Sequence, residues 1–165
     1  MILICYDGSD DAKAAIEQGA RLLRGQEATV LTVWEPFLDV MARTPSGFGL
    51  APGLPDNTEQ IDDATRSNAE QRAREGAELA NQAGLQAQPL TVSGIGSTAD
   101  AILRQAKESG ATAILVGSRG LGGVKSLLLG SVSHGVIQHA DRPVIVVPSA
   151  VVAAKRERAT SETAD

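Results

Sequence analysis

Residues 113–131 read Ala-Ile-Leu-Val-Gly117-Ser-Arg-Gly120-Leu-Gly-Gly-Val-Lys-Ser-Leu-Leu-Leu-Gly130-Ser131, and they decide the fold. The segment Ile114-Leu-Val-Gly is apolar at consecutive positions, as expected of a parallel strand covered by helices on both faces, so it belongs at the centre of a sheet. The glycine-rich stretch follows directly, and Gly130-Ser131 opens a helical pattern over 131–140. A strand, a glycine loop and a helix in that order form one unit of an α/β protein.

Working outward, the same alternation runs through the chain. Short segments rich in Val, Ile, Leu or Thr at 1–6, 28–34, 88–93, 113–117 and 143–147 read as strands. Between them, 10–24, 58–83, 99–109 and 131–140 carry helix formers at helical spacing. Asp10 and Thr58 stand where helix caps belong, and Gly25, Gly84 and Gly110 where C-terminal glycines belong. Right-handed crossovers reduce the topologies to a doubly wound, Rossmann-like α/β fold: a five-stranded parallel sheet in the order 3-2-1-4-5, with helices on both faces. Ligands of such sheets bind at the carboxyl ends of the strands where the order reverses, here the ends of strands 1 and 4.

One domain, 1–148, accounts for the pattern. Within it, residues 35–57 form a long loop holding Pro36, Pro45, Gly47, Gly49, Pro52, Gly53 and Pro55, read as either a mobile loop or a lid or dimer contact. The charged tail 149–165 lacks an apolar stripe and reads as frayed or as a short solvated helix.

Composition narrows the function. With a net charge of -5 and aromatic residues limited to Tyr6, Trp34, Phe37 and Phe48, the chain is unsuited to neutralise a nucleic-acid backbone or stack single-stranded bases. No apolar stretch approaches the ~18–20 residues that span a bilayer, and the N-terminus enters a strand without a basic leader, so the cytoplasm is the expected compartment and no membrane partner is expected. The single cysteine, Cys5, reads as a buried thiol.

The glycine pattern carries the chemistry. Its spacing is G-x2-G-x9-G-S, from Gly117 and Gly120 to Gly130 and Ser131. Glycines let a backbone approach a ligand where a Cβ would clash, and the N-terminus of a helix offers free N–H groups and a favourable dipole to phosphate. A plain turn with a capping Ser131 is the alternative. Arg119 lies inside this cradle, able to donate a fork of hydrogen bonds to a polyphosphate or simply to stand exposed. Ser133 lies in the first helical turn, facing phosphate or solvent. Lys125-Ser126 is not a P-loop, because Val124 stands where that motif requires glycine. Across the crevice, Asp7 ends strand 1, where a carboxylate can accept from ribose hydroxyls or a base amino group, or can cap a helix together with Ser9 and Asp10. Val33, near the end of strand 2, can present its backbone to an adenine edge.

Other patterns carry less. Gly94-Ile-Gly-Ser-Thr-Ala99 imitates a dinucleotide fingerprint, but the acidic residue expected about 20 positions on falls within Ile114-Leu-Val-Gly, so a strand-to-helix turn is the better reading. His134 and His139 are five apart with no cluster of ligating residues, and read as surface or interface histidines rather than a metal pair. No catalytic residues are assigned. Hydrolysis, if any, falls to water and a divalent ion.

Taken together, the opening strand ending in Asp7-Gly-Ser, the G-x2-G-x9-G-S spacing and the closing Arg142-Pro-Val-Ile-Val-Val-Pro resemble the ATP-binding branch of the universal stress proteins, over nearly the whole domain. The resemblance implies that Asp7 and Val33 hold ribose and adenine, with Gly117 beside the ribose. It implies further that Arg119, Gly120, Gly130, Ser131 and Ser133 line the phosphates of ATP, with Mg2+ or Mn2+ alongside. Family members dimerise through the last strand, which implies a homodimer through Val144–Val147. The expected function is a nucleotide-dependent stress-response or signalling module acting on a protein partner not named by the sequence. Two alternatives stand beside it: a dimeric interaction scaffold with an empty cradle, and an ATP-using enzyme on a related fold, such as an adenylating ligase, for which 165 residues leave little room.

Overall fold

The computed structural model describes residues 1–43, 57–121, 129–149 and 152–154. Five strands, β1 (Ile2–Cys5), β2 (Glu27–Trp34), β3 (Gln86–Ser93), β4 (Ala113–Gly117) and β5 (Val144–Val147), form one sheet in the order β3-β2-β1-β4-β5. Every pairing is parallel, with Ile4 opposite both Val30 and Leu115 at the centre. The expected doubly wound order is therefore the one the chain adopts.

Side-chain alternation along the strands divides the core in two. Ile2, Ile4, Tyr6, Val30 and Leu115 face one side, where helices α1 (Asp10–Leu22) and α3 (Thr58–Gln82) cover them. Leu3, Cys5, Leu31, Ile114 and Val116 face the other, under α4 (Thr98–Glu108) and α5 (Ser131–His139). α3 buries only Ala69, Ala73, Gly76, Ala77 and Ala80. That small-residue stripe brings it close to the sheet: a Cβ on Gly76 would stand 2.8 Å from Tyr6 and Val30.

Local signals differ from the sequence reading at several ends. Ser9, not Asp10, caps α1, its Oγ accepting from Ala12 N at 3.2 Å, because Asp10 already has helical backbone. Asn57, not Thr58, holds the cap position of α3 and makes no side-chain cap bond. α4 begins at Thr98 with a capping box between Ser97 and Asp100, so residues 94–97 make the strand-to-helix turn and Thr98 and Ala99 already belong to the helix. Gly25, Gly84 and Gly110 have φ of 77°, 97° and 63°, the left-handed conformation that ends helices.

The stretch 35–57 is not loop throughout. Residues Phe37–Arg43 form a short helix, α2, with Phe37 N donating to Asp62 Oδ1 and Arg43 paired with Glu35. The rest of that loop, 44–56, lies outside the described residues. In the tail, 152–154 are helical and Val152 is buried; 155–165 lie outside the described residues. Arg142 ties the far end of the domain together, its Nη1 donating to the carbonyls of Ala106 and Ala111, each at 2.6 Å.

Candidate functional site

At the carboxyl ends of β1 and β4 lies a cavity of about 450 Å3. Asp7, Val33, Gly117, Arg119, Gly120, Gly130, Ser131 and Ser133, the eight residues singled out in the sequence, all line it. So do Cys5, Tyr6, Leu31, Ile102 and Val116, which give it an apolar floor, and Thr98 and Arg72, which sequence reading did not anticipate. Nothing in a helix pattern marks Arg72 as different from its exposed neighbours. Its place follows from α3 lying across the end of β1, where its Cδ comes within 3.9 Å of a Cβ built on Gly8.

Three close approaches explain the glycines. A Cβ on Gly117 would lie 2.8 Å from the Asp11 carbonyl carbon, so the end of β4 meets the first turn of α1 backbone to backbone. A Cβ on Gly120 would collide with Asp7 Oδ2. One on Gly130 would stand 3.3 Å from the Arg119 Cα, between the two limbs of the loop.

Hydrogen bonds fix these limbs. Asp7 Oδ1 accepts from Ser9 N at 3.0 Å and Oδ2 from Leu121 N at 3.2 Å, joining the end of β1 to the glycine loop. Gly130 N donates to Ser118 O at 2.8 Å, so its N–H is committed within the protein and is not among the free N–H groups expected at this helix start. The first-turn N–H groups of α5, Ser131 to Ser133, have no intrahelical acceptor and form the positive end of the helix. Ser133 is buried, not solvent-facing, and its Oγ donates to Gly117 O at 2.7 Å, bracing the cradle from behind. Residues 122–128, including Lys125 and Ser126, lie outside the described residues.

Beneath the cradle sits a carboxylate that sequence reading missed. Asp11 is buried, and its Oδ2 accepts from Ser118 Oγ at 2.6 Å and Arg119 N at 3.0 Å, with Arg119 Nε 3.8 Å away. Burial works to raise its pKa, but bonds from Ser118 and Ser149 and the Arg119 charge outweigh it and hold the carboxyl below the ordinary value. A doubled acidic residue after a serine cap was the available signal. Cys5 is buried as expected, its thiol pushed up to about 12 by burial and then by Asp7. His134 and His139 are both exposed, and among the described residues no group of three or more His, Cys, Asp or Glu could hold a metal.

Comparison with known proteins places the chain in a family. The universal stress protein family model matches residues 1–148. The chain belongs to the universal stress protein family. Among its relatives, the Universal stress protein YxiE of Bacillus subtilis is 32% identical over 146 residues, covering 88% of this chain and 97% of that protein. Hypothetical protein MJ0577, the subject of a structure-based assignment of biochemical function, superposes with a TM-score of 0.70 at 23% identity, over 89% of this chain and 94% of that one. The universal stress protein of Archaeoglobus fulgidus in complex with dAMP gives 0.54 at 22% identity, over 88% and 95%. Two further universal stress proteins of this fold were solved with cAMP and, from Arabidopsis thaliana, with AMP. At these identities the solved structures establish the fold. No helix among the described residues is long and apolar enough to cross a membrane.

Proposed function

We propose that this universal stress protein binds an adenine nucleotide, ATP foremost, and acts as a nucleotide-dependent stress-response or signalling module. The observation that carries the reading is the convergence of Asp7 and Val33 with Gly117, Arg119, Gly120, Gly130, Ser131 and Ser133 on one cavity at the strand-order reversal. The apolar floor suits a base, Asp7 stands where ribose hydroxyls would donate, and the α5 N-terminus with Arg119 supplies donors and positive charge for phosphates. Relatives solved with dAMP, cAMP and AMP support the ligand class.

These residues fit the phosphates of ATP. Without a ligating cluster among the described residues, Mg2+ or Mn2+ would be held chiefly by the phosphates themselves, screening their charge. β5 is an edge strand of four apolar residues, and an uncovered apolar edge invites pairing, so we assign the homodimer to Val144–Val147. The cytoplasm is the compartment we assign.

The experiment is calorimetric titration of Gly130→Ala with ATP and Mg2+. Gly130 has an ordinary φ of -71°, so alanine adds no backbone strain there, while the added methyl, 3.3 Å from the Arg119 Cα, presses on the backbone of Arg119 and Gly120. Affinity lowered at least tenfold supports the cradle, and unchanged affinity refutes it. Light scattering on the same sample tests the edge pairing, which predicts twice the 17.1 kDa chain mass.

A further inference from the structure

A buried carboxylate is stable only where donors surround it, and those donors are then held in place by it. Asp11 binds two adjacent residues of the cradle at once, the Ser118 hydroxyl at 2.6 Å and the Arg119 amide at 3.0 Å. Ser118 is itself a junction. Fully buried, it donates its N–H to Val147 O in β5 and accepts at its carbonyl from Gly130 N, each at 2.8 Å. Through this one residue the first turn of α1 is linked to the edge strand and to the N-terminus of α5.

The Arg119 side chain completes the set. It lines the cavity with 22% of its surface exposed, and its only ion pair among the described residues is the 3.8 Å approach of Nε to Asp11 Oδ2. That long contact holds the guanidinium near the cavity yet is weak enough for a phosphate to replace it, since a short bidentate pair forms at about 2.7–2.9 Å.

We propose that Asp11 is a positioning residue that sets residues 118–120 and aims Arg119 at the phosphate side of the cavity. The proposal rests on the nucleotide reading above. Asp11 acts through the backbone and guanidinium of Arg119 and touches no ligand itself. Its role is therefore specific to ligands that carry phosphate: adenosine, which lacks one, is held by the base and ribose side and does not depend on it.

The test titrates stripped wild type, Asp11→Ala, Asp11→Asn and Ser118→Ala with ATP plus Mg2+ and, separately, with adenosine. In Asp11→Ala, ATP affinity is expected to fall at least tenfold while adenosine affinity stays within about twofold. Asp11→Asn keeps an acceptor oxygen for Ser118 and Arg119 N and is expected to retain ATP affinity within about threefold. Ser118→Ala, which leaves the carboxylate in place, is expected to weaken ATP by a smaller factor than Asp11→Ala. Undiminished ATP binding by Asp11→Ala, or parallel loss of ATP and adenosine in both Asp11→Ala and Ser118→Ala, overturns the positioning role alone. A wild type that takes up neither ligand overturns the nucleotide reading, and the positioning role with it.

Discussion

Gly117→Ala is expected to destabilise the protein more than its single added methyl suggests. The new Cβ would lie 2.8 Å from the Asp11 carbonyl carbon, 2.9 Å from its oxygen and 3.0 Å from Ala12 N. Favourable contacts between heavy atoms begin near 3.5 Å, so β4 and the first turn of α1 must separate by about 0.5–0.7 Å. Neither side can yield by a rotamer change. The obstacle is backbone, held by the Ser9 cap and the Lys13 N to Ser9 O bond on one side and by Ser118 N to Val147 O on the other. Overpacking of this kind costs about 1–3 kcal/mol, which for a chain of this size lowers Tm by roughly 2–12 °C. Gly130→Ala is the control, because its nearest neighbour would be 3.3 Å away and its φ is ordinary. Calorimetric melting of both proteins decides the matter. A Gly117→Ala protein that melts with wild type, or above Gly130→Ala, would refute the backbone-contact argument.

Three other outcomes follow from the same geometry. Because the folded protein holds the Asp11 pKa below its ordinary 3.8, the unfolded chain binds the extra proton in acid. The stabilisation is complete above the unfolded value and disappears as pH falls through the lower folded one, so the Tm gap between wild type and Asp11→Asn should shrink between about pH 5 and pH 2. A gap independent of pH contradicts this. The Cys5 thiol, pushed up to about 12, should resist iodoacetamide at pH 8 until the protein unfolds; alkylation at the rate of a free thiol would show that it is not buried. Arg142→Ala leaves the Ala106 and Ala111 carbonyls without their guanidinium donor and should lower Tm with faster amide exchange at the end of α4, whereas an unaltered exchange pattern would show the clamp to be inert.

What the sequence disclosed and what it concealed divide along physical lines. The strand order was legible because Ile114 to Val116 is apolar on both faces and because handed crossovers leave few topologies. The glycines of the cradle were legible because close backbone approach leaves a residue-type signature. Asp11 was not, since a carboxylate in a first helical turn is common on surfaces and only the approach of Ser118, 107 residues away, makes this one a buried anchor. Whether Ser133 faced phosphate or solvent was not legible for a similar reason: its burial depends on Gly117 O lying behind it. The short helix α2 was hidden by the prolines and glycines around it, and it is held in place by long-range bonds from Phe37 to Asp62 and from Arg43 to Gly94. Arg72 reaches the cavity only because small residues let α3 lie close to β1 and β2.

The central claim is that the cavity between the Asp7 turn and the α5 N-terminus is a nucleotide site. Its most direct test is calorimetric titration of the stripped wild-type protein with ATP and Mg2+. Saturable binding near one nucleotide per chain, weakened when the Gly130 methyl is added, is the predicted result. No detectable heat and no competition by AMP would contradict the claim, leaving a universal stress protein fold whose cradle serves something other than nucleotide.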